Sequence, residues 1–126
     1  MANPKLPQPT VAELGILRVL WRRGPSTVRE IHEELNRTRR SGYTTVLKFL
    51  QIMTEKGLVT RDDSARSHVY RARLVEHHTQ RHIVRDMLER AFGGSASKLV
   101  TAALSAKKAS RAELKEIRKL LDELEE

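Results

Sequence analysis

With 126 residues, 39% of them hydrophobic, the chain has material for one core, or one small core plus an appendage. It holds no cysteine, which excludes disulfides, thiolate metal sites and cysteine nucleophiles. The formal net charge of +8 is concentrated early: residues 1–72 carry 13 Lys and Arg against 7 Asp and Glu, a balance that points to a polyanionic partner.

The opening "MANPKLPQPT" lacks the apolar core of a signal peptide, and no apolar run approaches the roughly 18 residues of a membrane span. The expectation is a cytoplasmic protein with no membrane insertion. Thr10 and Glu13 have capping-box spacing in front of "VAELGILRVLWRR", whose Leu14, Leu17 and Trp21 share a helical face, and Gly24-Pro25 ends that helix. Thr27 and Glu30 open a second helix, "VREIHEELN", with Val28, Ile31 and Leu35 as its apolar stripe. The basic stretch "RTRRSG" leads into a third, "YTTVLKFLQIMTEK", closed by Gly57 as a left-handed cap.

"LVTRD" and "HVYRA" read as two short strands around "DSARS", a hairpin. From Val75 to Phe92 the period is helical again, with Ile83, Val84, Met87, Leu88 and Ala91. "GGSAS" breaks it. "KLVTAAL" is a short helix and "SAKKAS" a connector. Ser110 and Glu113 then cap a last helix, "RAELKEIRKLLDELEE", carrying Leu114, Ile117, Leu120, Leu121 and Leu124.

Projected at 100° per residue, the third helix gathers Val46, Phe49, Leu50 and Met53 on one side and Thr44, Lys48, Gln51 and Glu55 on the other, with Thr45 at the border. An exposed helix face without a task is usually filled with Glu, Lys, Arg and Ala. This one opens with hydroxyls. Threonine methyl and hydroxyl groups and a lysine near a helix start suit thymine methyls, base edges and phosphate, although any one of them alone would pass for ordinary solvated surface. Context decides. Helix, helix, basic connector, helix and hairpin is the order of a winged helix-turn-helix, whose third helix enters the major groove. The expected fold is mainly α: a winged helix-turn-helix domain over residues 1–74, followed by a helical dimerisation domain over residues 75–126.

The segments "TVREIHEEL", "YTTVLKFLQIMTEKGLVTRDD", "VYRA" and "FGGSASKLV", in that order and spacing, resemble the penicillinase-repressor (BlaI/MecI/CopY) family over nearly the whole chain. The resemblance implies a homodimeric transcriptional repressor binding an inverted-repeat operator in double-stranded DNA. By matching position, Thr44, Thr45 and Lys48 are similar to that family's major-groove residues. Arg39, Arg40, Ser41 and Arg66 are the electrostatic candidates for phosphate, with His68 beside Arg66 on the wing, where Asp62 and Asp63 would repel a duplex unless they stay at the strand end.

Two departures restrict the subtype. Copper-sensing members of that family use a C-terminal cysteine cluster, which this chain lacks. Antibiotic-responsive members are cut at an Asn-Phe bond by a membrane sensor protease, and no Asn-Phe occurs here. Either a partner protease has another preference, or derepression takes another route, or the target genes have nothing to do with antibiotics.

His78 and His82 stand i, i+4 on a predicted helix, a spacing that can chelate, but "HHTQRH" supplies no third ligand at a diagnostic distance. No metal or cofactor is expected. Nucleotide-binding glycine loops and the G-x-S-x-G nucleophile motif are absent, so the chain is not expected to be an enzyme. Residues 75–126 are too thin to cover their own apolar stripes, and Leu99, Leu104, Leu114, Ile117, Leu121 and Leu124 are the expected homodimer interface. The competing reading is a basic winged-helix module for protein or RNA, which would bind DNA without sequence preference.

Overall fold

The computed structural model describes residues 8–126. The segment on which the signal-peptide reading rests falls almost entirely outside them. Helix α1 (Val11–Arg23) starts at Thr10, whose hydroxyl accepts the Glu13 N–H at 3.2 Å while the Glu13 carboxylate accepts the Thr10 N–H at 2.8 Å. Gly24, at φ 91°, ends the helix. After β1 (Ser26–Thr27), the same reciprocal cap between Thr27 and Glu30 starts α2 (Val28–Leu35). Helix α2 ends one residue before the sequence pattern implies, with Asn36 as its C-cap, the Asn36 N–H still reaching the His32 carbonyl at 3.1 Å. Helix α3 (Tyr43–Lys56) closes on Gly57 at φ 81°, with the Leu58 N–H returning to the Met53 carbonyl at 2.9 Å.

Strands β2 (Val59–Asp62) and β3 (Val69–Ala72) pair antiparallel, Val59 opposite Ala72 and Asp62 opposite Val69. The sequence pattern does not reveal β1. Two residues are too few for a period, yet Ser26 lies opposite Tyr70 and makes the sheet three-stranded, in the order β1-β3-β2. Ser26 is fully buried and spends its hydroxyl on the Gly24 carbonyl at 2.8 Å.

The core draws Ile16, Leu17, Val19 and Leu20 from α1, Val28 and Ile31 from α2, and Val46, Leu50 and Met53 from α3; Leu58, Val59 and Tyr70 close it from the hairpin side. Glu13 is the charged member of this interior. Burial alone would push its carboxyl up, but the Lys56 ammonium at 2.7 Å and the Thr10 N–H outweigh burial and hold it below the ordinary carboxylate value. The pair ties the start of α1 to the last turn of α3. Trp21 donates its indole N–H to the Leu74 carbonyl at 2.9 Å, fixing the segment that leaves β3.

Helices α4 (Glu76–Ala91), α5 (Ala96–Ala106) and α6 (Arg111–Glu125) follow. Helix α5 begins two residues earlier than its apolar run, because Ser95 caps it through the Lys98 N–H; the actual break is Gly93-Gly94, both at positive φ. Packing divides the chain into a unit ending at Ile83 and a second unit, Val84–Glu126, so the division falls inside α4. The first unit, three helices and a hairpin with a third short strand, is a winged helix-turn-helix; the second is helical.

Candidate nucleic-acid interface

The turn between α2 and α3 is set by side chains rather than by its own backbone. Asn36 accepts the Ser41 N–H through Oδ1 at 3.0 Å and donates through Nδ2 to the carbonyls of His32 at 2.8 Å and Ser41 at 3.1 Å. His32 Nε2 donates to the same Ser41 carbonyl at 2.8 Å. Gly42 then stands at the N-cap position of α3, where it offers no side-chain acceptor, and the first turn holds no acidic residue. The leading N–H groups of α3 therefore receive no side-chain acceptor from the cap, at the positive end of the helix dipole.

Thr44, Thr45 and Lys48 are exposed on α3, and among the described residues none of their side chains has a hydrogen-bond or ion-pair partner. Thr54, lower on the same helix, shows the alternative: its hydroxyl bonds back to the Leu50 carbonyl at 2.7 Å. The hydroxyls at the helix start are left for something else. Arg39, Arg40 and Ser41 line one hollow with Thr45, between the turn, α1 and α3. Ser41 has its N–H and carbonyl engaged internally, and among the described residues its hydroxyl has no partner.

On the other flank, Arg66 and His68 of the wing line a hollow with Tyr43, Leu47, Thr27 and Arg29. The arrangement brings the expected residues into two groups on either side of α3. The wing acids are occupied by their own hairpin. Asp62 accepts the Ser64 N–H at 2.9 Å, and the Ser64 hydroxyl and N–H hold its carboxyl below the ordinary value. Asp63 pairs with Arg61 at 2.7 Å and lies 3.6 Å from His68. The Tyr70 hydroxyl, then Asp63, hold the Arg61 guanidinium above its ordinary value. Arg66 has no such partner among the described residues and remains available to an anion.

Tyr43 and Arg29 line the wing-side hollow but are absent from the contact residues expected from the sequence. Tyr43 is 48% exposed, with its ring edge-on to His32 at 5.8 Å, and Arg29 is held loosely by Glu33 at 3.4 Å. The i, i+4 pairing of Tyr43 with Leu47, offset from the core stripe, was the available signal.

In the helical part, no residue of α5 or α6 is buried. Leu104, Leu121 and Leu124 are exposed and Leu99, Leu114 and Ile117 half-buried; Val100 and Leu120 are further exposed apolar residues of these two helices. His77 and His78 are exposed, His82 is half-buried and engaged within the protein, and no metal-holding cluster occurs among the described residues. Among those residues, no helix is long and apolar enough to cross a membrane.

Comparison with known proteins agrees with this geometry. The family model described as Penicillinase repressor matches residues 9–123. The transcriptional regulator BlaI of Mycobacterium tuberculosis is 41% identical over 59 residues, covering 46% of this chain and 43% of that protein, so this match spans less than half of its relative. The penicillinase repressor of Bacillus licheniformis is 25% identical over 119 residues, 94% of this chain and 93% of that one. The solution structure of the Bacillus licheniformis BlaI monomeric form, in complex with the blaP half-operator, superposes with a TM-score of 0.51 at 28% identity, covering 57% of this chain and 88% of that one. A second solution structure, the DNA-binding domain of the repressor BlaI, gives 0.52 at 27%, covering 59% and 90%. On the span of the family match, the chain belongs to the penicillinase repressor family.

Proposed function

We propose that the chain is a DNA-binding transcriptional repressor that works in the cytoplasm as a homodimer on an inverted-repeat operator. The observation that carries this is the outer face of α3: Thr44, Thr45 and Lys48 exposed and, among the described residues, without partners at a helix start that has no side-chain cap. In this reading those three residues touch base edges, while Arg39, Arg40, Ser41, Arg66 and His68 hold phosphates on either side. The solved complex of Bacillus licheniformis BlaI with a half-operator supports carrying DNA binding to this chain.

Residues 1–74 form the DNA-binding part and residues 75–126 the dimerising part, through Leu99, Leu104, Leu114, Ile117, Leu121 and Leu124. Apolar side chains left uncovered on α5 and α6 support a second copy as their cover. One helix in one groove reads only a few base pairs, and a twofold pair reads two half-sites. Cleavage in the dimerising part by a membrane sensor protease is the derepression route that fits this division.

In vitro selection from a random duplex pool, followed by footprinting, tests the reading. The expected product is an inverted repeat protected symmetrically by a dimer. Binding that depends on salt but selects no sequence favours a general protein- or RNA-interaction module instead.

A further inference from the structure

Four hydrogen bonds converge on the turn in front of α3, and three of them end on one residue, Ser41. The Asn36 amide meets the Ser41 N–H at 3.0 Å and its carbonyl at 3.1 Å, satisfying both as a neighbouring strand would. The second lone pair of that carbonyl takes His32 Nε2 at 2.8 Å. A carbonyl only accepts, so His32 carries its proton on Nε2. The fourth bond anchors Asn36 itself to the His32 carbonyl at 2.8 Å. The His32 ring also meets the Tyr43 ring edge-on at 5.8 Å, so one side chain touches the residue before the α3 cap and the residue after it.

The rest of the turn has little to hold it. Arg39, Arg40 and Gly42 are exposed, none is seated in the core, and Gly42 contributes no cap. Val46, Leu50 and Met53 seat the body of α3 in the core, but ahead of its first turn the chain is otherwise held by the backbone bonds of Arg37 to Glu34 and of Thr38 and Arg39 to Leu35.

We infer that Asn36 and His32 are positioning residues for sequence recognition: they fix the start of α3 through Ser41 and set which bases its side chains reach, without touching the duplex themselves. This rests on the DNA-binding reading above and adds two determinants of specificity outside the contact face. A small change of entry angle displaces hydroxyls that must meet base edges at hydrogen-bond distance, whereas phosphate contacts by flexible arginines adjust to it. Specific and general binding should therefore separate.

The experiment compares the intact protein with Asn36→Ala and with His32→Phe, which keeps a ring against Tyr43 and removes the Nε2 donor. Each is titrated on the duplex selected by the wild type and on a scrambled duplex of equal length at one salt concentration, and amide exchange at Ser41 is followed without DNA. In both variants affinity for the selected duplex is expected to fall about tenfold to a hundredfold, with scrambled-duplex affinity within about twofold and the thermal melt retained. Ser41 exchange should accelerate in Asn36→Ala. Equal losses on both duplexes, an undiminished preference for the selected one, or unchanged Ser41 exchange in Asn36→Ala overturns the inference. A wild type that selects no duplex refutes the DNA-binding reading itself and is told apart by that control.

Discussion

Lys48 and Thr45 share a helix with Leu50 but do different work, and substitution should separate them. Lys48→Ala and Thr45→Ala are each expected to weaken operator binding by about 1 to 3 kcal/mol, read by gel shift, with the melting temperature nearly unchanged because both side chains lie outside the core. Unchanged affinity in both would take α3 out of the groove. Glu13 answers to pH instead. Its folded-state carboxyl titrates below the ordinary value near 4.5, so its contribution to stability is complete above that value and disappears as pH falls through the lower folded one. Thermal melts should lose ground from about pH 4.5 downward, and Glu13→Gln should flatten that limb. The same substitution should cost about 1 to 2 kcal/mol near neutrality, less than a fully buried pair, because Lys56 is one-third exposed and can turn to solvent.

Elements were legible where local chemistry is decisive and illegible where tertiary pairing is. Both capping boxes announce their helices because Thr and Glu three apart satisfy two orphan N–H groups wherever they occur. The hairpin strands are short runs with Val, Thr and Tyr on either side of the polar "DSARS", and that composition places them within a residue. Strand β1 has no local signature; it exists because β3 offers an edge to Ser26 and Thr27. The exposed face of α3 followed from its projection, but the pairing of Asp63 with Arg61 and the clamp on Ser41 depend on the conformation of the turns that hold them, which no periodicity encodes. Gly57 gives an element-scale test. At φ 81°, with an added Cβ lying 3.2 Å from Arg73 Nη1, Gly57→Ala should destabilise the α3–β2 junction by about 1 to 2 kcal/mol in denaturant melts. Leu50→Ala, at a fully buried position of the same helix, should cost about 2 to 5 kcal/mol through the cavity it leaves. A melt indifferent to Leu50→Ala would contradict its place in the core.

At the scale of the whole molecule, the proposed division of labour predicts what truncation does. Ending the chain after Phe92 should leave a folded winged-helix unit that sediments as a monomer and binds a half-site about as well as intact protein. On a full operator it should lose roughly 10²- to 10⁴-fold, the advantage of tethering two readers together. A truncated protein that stays dimeric, or that holds the full operator undiminished, defeats the assignment of residues 75–126. Affinity of the intact protein, as the proposed dimer, should fall with log salt at a slope on the order of −5 to −9, matching roughly six to ten phosphate contacts, and a flat titration would remove the basic half from the interface.

The bond from Trp21 to the Leu74 carbonyl has an optical consequence. Trp21 is the single tryptophan of the chain, so all indole emission comes from the point where the strand β3 segment is anchored to α1 on its way to α4. Its emission maximum and quenching by iodide thus give a native, label-free signal for that anchor. Loosening the anchor should shift emission to the red and raise quenching. A fluorescence titration with operator would then show directly whether occupancy of the groove face is felt at the root of α4.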